Sequence, residues 1–224
     1  MHIEPGVVDG AKMALAAATA AGAAAYTAKE AFGDISRTNV ATFAARTALA
    51  AVGTFVFFEL LPHFPVGVSE VHFILGSTLF LLLGAAPTAI GLALGLLVQG
   101  LFFAPTDLPM YFVNVTTLLV PLFAIAALAR RVVPKGTAYV DLRYGDVLKL
   151  SGAFQAGVVG WVAFWVFYGQ GVTAASVQSV LTFGGAYMLV VLIEPLADLA
   201  VLAAAKSLRD TGLGRIFTPR LYAA

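Results

Sequence analysis

Long apolar runs separated by short polar breaks dominate the chain, each run close to the ~20 residues that a bilayer-crossing helix needs. They predict seven spans, at Val8–Ala28, Thr38–Leu61, Val71–Ala86, Pro87–Ala104, Met110–Arg130, Val147–Gly169 and Ala175–Leu208. The first is alanine-rich and only weakly apolar. The third is short, and the fourth follows it with almost no loop. The seventh is too long to stand along the bilayer normal, and Pro195 interrupts it, so a kink or tilt is expected there. The pattern reads as a single all-α integral membrane domain over residues 1–224. A segment at 1–7, a loop at 131–146 and a tail at 209–224 lie outside the spans.

The polar positions orient these spans. One set of breaks carries Lys29 and Arg37, then Arg130, Arg131, Lys135, Arg143 and Lys149, then Lys206, Arg209, Arg215 and Arg220. The alternate breaks, near Leu61–Glu70, Pro105–Pro109 and Gly169–Ala174, carry no Lys or Arg, but hold Glu70 and Asp107. Cytoplasmic loops are enriched in Lys and Arg, so the N-terminus is expected outside and the C-terminus inside. Lys12 and Arg46 are the only cations outside this set, and both fall within spans.

Composition sharpens the class. The chain is 60% hydrophobic and 11% charged over 224 residues, and its mean hydropathy is +0.92. Soluble domains carry about 25% charge. Cysteine is absent, which excludes disulfides, zinc thiolates and iron–sulfur clusters. A net charge of +1 with no basic stripe gives no sign of nucleic-acid binding. No basic stretch precedes the first apolar run, so no cleavable leader is expected and Met1 is expected to stay in the mature protein.

That expectation gives Met1-His2 a chemistry. A free α-amine, the amide of residue 2 and the His2 imidazole can close five- and six-membered chelate rings on one metal. The rings hold three nitrogens nearly planar, which suits Ni(II) or Cu(II), with Co(II) also accommodated. The charge rule places His2, His63 and His72 on the same external side, although it makes no reference to histidine. His72, at the start of the third span, is a better further ligand than His63 in a Pro-flanked loop, because a helix start holds its side chain more rigidly. Against this stands the plain reading of accidental, solvated histidines.

Other polar groups sit inside the apolar runs. Gly76, Ser77 and Thr78 are small enough to admit the N-terminal segment beside His72, or simply a packed helix. Asn114 can orient a ligand imidazole or bind two helices together. Arg46, Glu59, Glu194 and Asp198 are costly in lipid and expected to face the bundle interior, with Arg46 paired to one of these carboxylates. Ala41/Ala45 and Ala44/Ala48 form a small-residue face on the second span, suited to helix docking. No nucleophile–base motif, His-Glu-x-x-His or phosphate-binding glycine loop is present, so no enzymatic activity or ATP hydrolysis is expected.

Taken together, the Met-His-Ile start with Gly6, the stretch His72–Leu79, Gln99-Gly-Leu-Phe-Phe, and the Asn114 span followed by Pro121 resemble the CbiM/NikM family. Those proteins are substrate-binding membrane subunits of energy-coupling-factor cobalt and nickel transporters. The resemblance runs over most of Met1–Ala129. It implies Co(II) or Ni(II), or another divalent transition metal, as transported substrate. It assigns Met1, His2 and His72 as ligands of a square-planar nitrogen set, with Asn114 in support; His63 has no counterpart. It also implies a transmembrane coupling subunit and cytoplasmic ATPase subunits as partners, and a bacterial or archaeal inner membrane as location. Two places depart from the family pattern. Pro5 stands where an acidic residue precedes Gly6, and Thr106-Asp107-Leu108 replaces a glycine pair. Two other readings stay open: an accessory or assembly subunit without transport of its own, and a proton-coupled carrier using Arg46, Glu194 and Asp198.

Overall fold

The computed structural model describes residues 2–223. Among the described residues there are eight α-helices and one small hairpin, joined by short helical turns. The helices are α1 (Met13–Arg37), α2 (Val40–Phe55), α3 (Gly76–Leu83), α4 (Ala85–Phe102), α5 (Tyr111–Val132), α6 (Tyr144–Gln170), α7 (Ala174–Met188) and α8 (Glu194–Ser207). Strands β1 (Phe64–Val66) and β2 (Ser69–Val71) lie between α2 and α3. Among the described residues, five helical stretches are long and apolar enough to cross a membrane: Val40–Leu60, Ala85–Phe102, Pro105–Val132, Tyr144–Gln170 and Ala174–Ser207.

Two of the seven expected spans therefore differ. α1 is long enough, but alanine gives it little hydropathy, and most of it is exposed, with Ala16, Ala23 and Thr27 buried. The third expected span is not one helix. Val71 ends β2, residues 72–75 have no regular structure, α3 covers Gly76–Leu83, and Ala85 and Ala86 already belong to α4. Gly84, with φ 89°, breaks the chain between α3 and α4, a conformation that favours glycine. The long last span divides as its proline suggests. A short 3₁₀ turn at Leu189–Leu192 separates α7 from α8, and Pro195 sits in the first turn of α8, where its missing N–H costs nothing.

Packing between α2 and α4 depends on glycine. A Cβ on Gly91 would come within 2.7 Å of the Ala50 carbonyl carbon, and one on Gly95 within 2.6 Å of Thr54 Cβ. This Gly-x-x-x-Gly face lets the two backbones approach closely. The expected small-residue face of α2 is placed differently, since Ala41, Ala44 and Ala48 point outward. α6 is tied to α5 by a Trp161 Nε1–H bond to Thr116 Oγ1 at 3.2 Å.

The two ends of the bundle differ in character. At one end the 131–146 loop meets the C-terminal region, with Lys206 Nζ 2.6 Å from Asp141 Oδ1 and Arg220 over the Tyr139 ring. Thr218 N–H donates to Leu82 O at 2.9 Å, so the tail is folded against α3. The far end, a full α5 length or about 33 Å away at 1.5 Å per residue, gathers the N-terminal segment, the hairpin and Asp107.

Arg46 does not pair with any of the carboxylates expected. Its Nη2 bonds Asp34 Oδ1, and its Nη1 bonds Asp34 Oδ2 at 3.1 Å and Leu83 O at 3.0 Å. The reason is that α1 continues to Arg37, well past the apolar run that ends near Ala28, and so carries Asp34 to the bundle edge.

Candidate metal centre

The chain enters the bundle as an extra edge strand. Glu4 N–H donates to Val68 O and Glu70 N–H to His2 O, both at 3.2 Å. Ser69 Oγ–H adds a bond to His2 O at 3.0 Å, and Ile3 pairs antiparallel with Ser69. On the other side, Ile3 N–H donates to Asn114 Oδ1 at 2.9 Å, a buried bond. Residues that usually fray are thus fixed from two directions. Ile3, Val7 and Val8 are buried. Farther along, Val7 O lies so close to Gly169 that a Cβ there would overlap it, and Lys12 Nζ bonds Gly169 O at 2.6 Å.

The hairpin that receives this strand is set by Gly67, with φ 64°, at the first position of a two-residue turn, where glycine is favoured. Its register pairs Phe64 with Val71, Pro65 with Glu70 and Val66 with Ser69. Side chains two apart on a strand share a face. Glu70 and His72 consequently point the same way, toward His2.

Three side chains converge there. His2 Nδ1 lies 2.8 Å and His72 Nε2 2.9 Å from the same oxygen, Glu70 Oε2. A carboxylate only accepts, so both nitrogens carry their protons toward it. The ligand atoms of His2, Glu70 and His72 all lie within 4.8 Å of one another. Asp107 Oδ2 stands 3.7 Å from His2 Nδ1. Phe58 stacks on the His72 ring at 4.7 Å, and His2 meets His72 edge-on at 5.2 Å. His63 stacks on the other side of His72 at 4.8 Å but is itself exposed, with Nδ1 3.4 Å from Leu61 O.

The electrostatics follow from burial. His2 is 6% and His72 1% exposed. Burial holds both imidazoles below the ordinary histidine range. Their N–H groups, that of His2 foremost, hold the Glu70 carboxyl well below the usual carboxylate range. Two neutral imidazoles and one carboxylate therefore face each other, an arrangement with negative charge and nitrogen donors that attracts a borderline-soft cation. An open pocket lined by His2, Glu4, Glu70, Thr106 and Asp107 leads into it.

Residues 2–211 match the family described as the cobalt uptake substrate-specific transmembrane region, CbiM. The chain belongs to the CbiM family. No curated protein and no solved structure matches it. A CbiM chain is a multi-pass membrane protein and a transport component rather than an enzyme, and the family works within multi-subunit cobalt transport systems.

Within this CbiM chain the expected site residues are placed as follows. His2 and His72 are together. Asn114 grips the neighbouring backbone and makes no bond to an imidazole. Ser77 and Thr78 face away, donating to Asp198, and Gly76 is filled by the Phe154 ring rather than by the N-terminal segment. His72 precedes α3 in an extended stretch instead of lying in a helix turn. Met1, the remaining expected ligand, lies outside the described residues. Glu70 and Phe58 were not among the expected site residues. The two-residue spacing of Glu70 and His72 is the signal that points to Glu70, provided the segment is read as a strand.

Proposed function

We propose that this CbiM chain captures Co(II) or Ni(II) at the external face through His2 and His72, and passes it inward as the substrate-binding subunit of an energy-coupling-factor transporter. The observation that carries the reading is the convergence of His2 Nδ1 and His72 Nε2 on one point, each within 2.9 Å of Glu70 Oε2. A cation there takes a lone pair from each of the two imidazole nitrogens, and each ring stays neutral by carrying its proton on its other nitrogen instead. The Met1 α-amine and the His2 amide nitrogen complete the planar set. Among the described residues no hydrogen bond uses the His2 amide N–H, whereas its carbonyl accepts two. This pattern leaves the amide for deprotonation and metal binding. The proposal takes Met1 as the first residue, a premise that N-terminal sequencing checks.

Glu70 has a holding role in this scheme. Before metal arrives it fixes both rings by charge-assisted bonds, and once metal is bound its charge offsets the cation. Asp107 contributes a second carboxylate from the loop that departs from the family pattern. ATP hydrolysis and the inward movement belong to partner subunits, a transmembrane coupling protein and cytoplasmic ATPases. The N-terminus lies outside, because the Lys- and Arg-rich segments gather at the opposite end of the bundle.

Titration of the detergent-solubilised protein with Co(II) and Ni(II) tests this. His72→Ala and a variant with one glycine before Met1 are each expected to lose at least tenfold in affinity while melting like the parent. Unaltered affinity in both would overturn the assignment.

A further inference from the structure

A second polar cluster lies deeper in the bundle, and the histidine centre does not use it. Glu194 and Asp198 are one turn apart on α8, and both are fully buried. Glu194 Oε2 accepts from Ser151 Oγ at 2.6 Å and from Gln155 Nε2 at 2.5 Å, both on α6. Asp198 accepts from Ser77 Oγ at 2.8 Å and from Thr78 Oγ1, at the start of α3. The Leu75 backbone N–H also faces Glu194. Leu75 is three residues past His72, a stretch of chain that covers at most about 10 Å. Among the described residues it carries the one positive φ outside glycine, 53°.

The cluster is short of positive charge. Among the described residues, no Lys, Arg or His approaches either carboxylate within 4.0 Å. Two oxygens are also without partners. Glu194 Oε1 and Gln155 Oε1 are buried and make no hydrogen bond, although the Gln155 amide is anchored to the Glu194 carboxylate by its other end. Buried polar groups are ordinarily paired, and a buried carboxylate without compensation is expensive. Both orphaned groups on the Glu194–Gln155 pair are acceptors, so what they lack is a cation or a donor. Two carboxylates carry two negative charges. Protons on both carboxyls cancel these charges, and so does one divalent ion, which also takes the lone pairs of the two unpartnered acceptors.

We propose that Glu194, Asp198 and Gln155, with the hydroxyls of Ser77, Thr78 and Ser151 around them, form a second, oxygen-lined site for a divalent cation. The site lies inward of the histidine centre. It receives the cargo released from His72, and in that respect rests on the function proposed above. Its donors are oxygens from three helices, α3, α6 and α8. Oxygen donors suit harder ions and bind a transition metal less tightly than imidazole does. A weak site next along the path takes the ion without trapping it, as conduction through successive sites requires.

Mn(II), which oxygen ligands accept well, is the probe for this site. Free Mn(II) is counted by electron paramagnetic resonance in protein reconstituted into lipid nanodiscs, and Co(II) stoichiometry is measured in parallel. The parent is expected to bind one Mn(II) that is retained in His72→Ala. Glu194→Gln with Asp198→Asn is expected to weaken it at least tenfold. Gln155→Leu, which leaves both carboxylates in place, serves if the double variant does not fold, and is expected to weaken Mn(II) at least threefold. Mn(II) binding unaffected by these changes would overturn the proposal. So would a protonated-carboxyl infrared band, lost in Glu194→Gln, that persists at saturating Mn(II), since the site would then hold a proton alone. The function proposed above fails separately, through Co(II) affinity that ignores His72→Ala.

Discussion

Asn114→Ala tests whether docking of the N-terminal strand builds the metal centre. Asn114 Oδ1 takes the Ile3 N–H at 2.9 Å, and Asn114 is 2% and Ile3 0% exposed. Removing the acceptor strands a buried N–H, at a cost of about 1–3 kcal/mol. His2 precedes Ile3, so the cost falls on the conformation that presents His2 to His72. The other tethers are three: Glu4 N–H to Val68 O, Glu70 N–H to His2 O and Ser69 Oγ–H to His2 O. Each is worth about 0.5–1.5 kcal/mol net, so these three bonds add only a few kcal/mol to what the burial of Ile3 and Val7 contributes. With about 1.4 kcal/mol per tenfold in affinity, Asn114→Ala is expected to weaken Co(II) binding by roughly 5- to 150-fold. Calorimetry against a competing chelator measures this, with the thermal melt as a check on folding. Asn114→Asp keeps an acceptor oxygen at the same reach and is expected to lose less. A folded Asn114→Ala protein with parental affinity would refute the idea that this bond holds the strand in place.

Other outcomes follow from the same geometry. Gly169→Ala puts a methyl group into Val7 O, so metal affinity should drop at least tenfold by calorimetry with little change in helical circular dichroism; equal affinity would count against the docked path of residues 5–8. Glu70→Gln should weaken Co(II) by about 10- to 100-fold, the range typical of residues that orient metal ligands, as read by equilibrium dialysis. Arg46→Ala leaves Asp34 beside an empty buried position and should cost about 3–5 kcal/mol, seen as a large fall in melting temperature. Acid should loosen the metal-free protein. Burial lowers the His2 and His72 pKa values, so the unfolded chain takes up these protons first, and stability falls as pH drops below about 6.5. The Glu70 carboxyl is also held low, so its contribution is lost at lower pH still, below about 4.3. Melting curves from pH 8 to pH 4 follow this, and His72→Gln should flatten the upper part of the decline.

Hydrophobic patterning made the membrane class and most helix positions legible. It was blind between Leu61 and Gly76. Phe64–Val66 and Ser69–Val71 are too short and too mixed to show as strands beside long apolar runs, so the pattern places His72 on a helix start. Period-two spacing, once the hairpin is known, puts Glu70 beside His72. The Arg46–Asp34 pair was hidden for another reason. Alanine-rich sequence gives no clear signal of where a helix stops, and Asp34 lies in the last turns of α1, beyond the apolar run. The expectation that Ser77 and Thr78 admit the N-terminal segment beside His72 took nearness in sequence for contact. The α3 start turns both hydroxyls to Asp198 instead, a contact 120 residues away in sequence that no local pattern reveals.

X-ray absorption at the cobalt edge, on protein with an unblocked Met1 and one equivalent of Co(II), tests the central claim most directly. The account predicts a nitrogen-dominated shell at roughly 2.0 Å, with outer scattering from two imidazole rings that falls to one ring in His72→Ala. An oxygen-only shell, unchanged in both His2→Ala and His72→Ala, would contradict it.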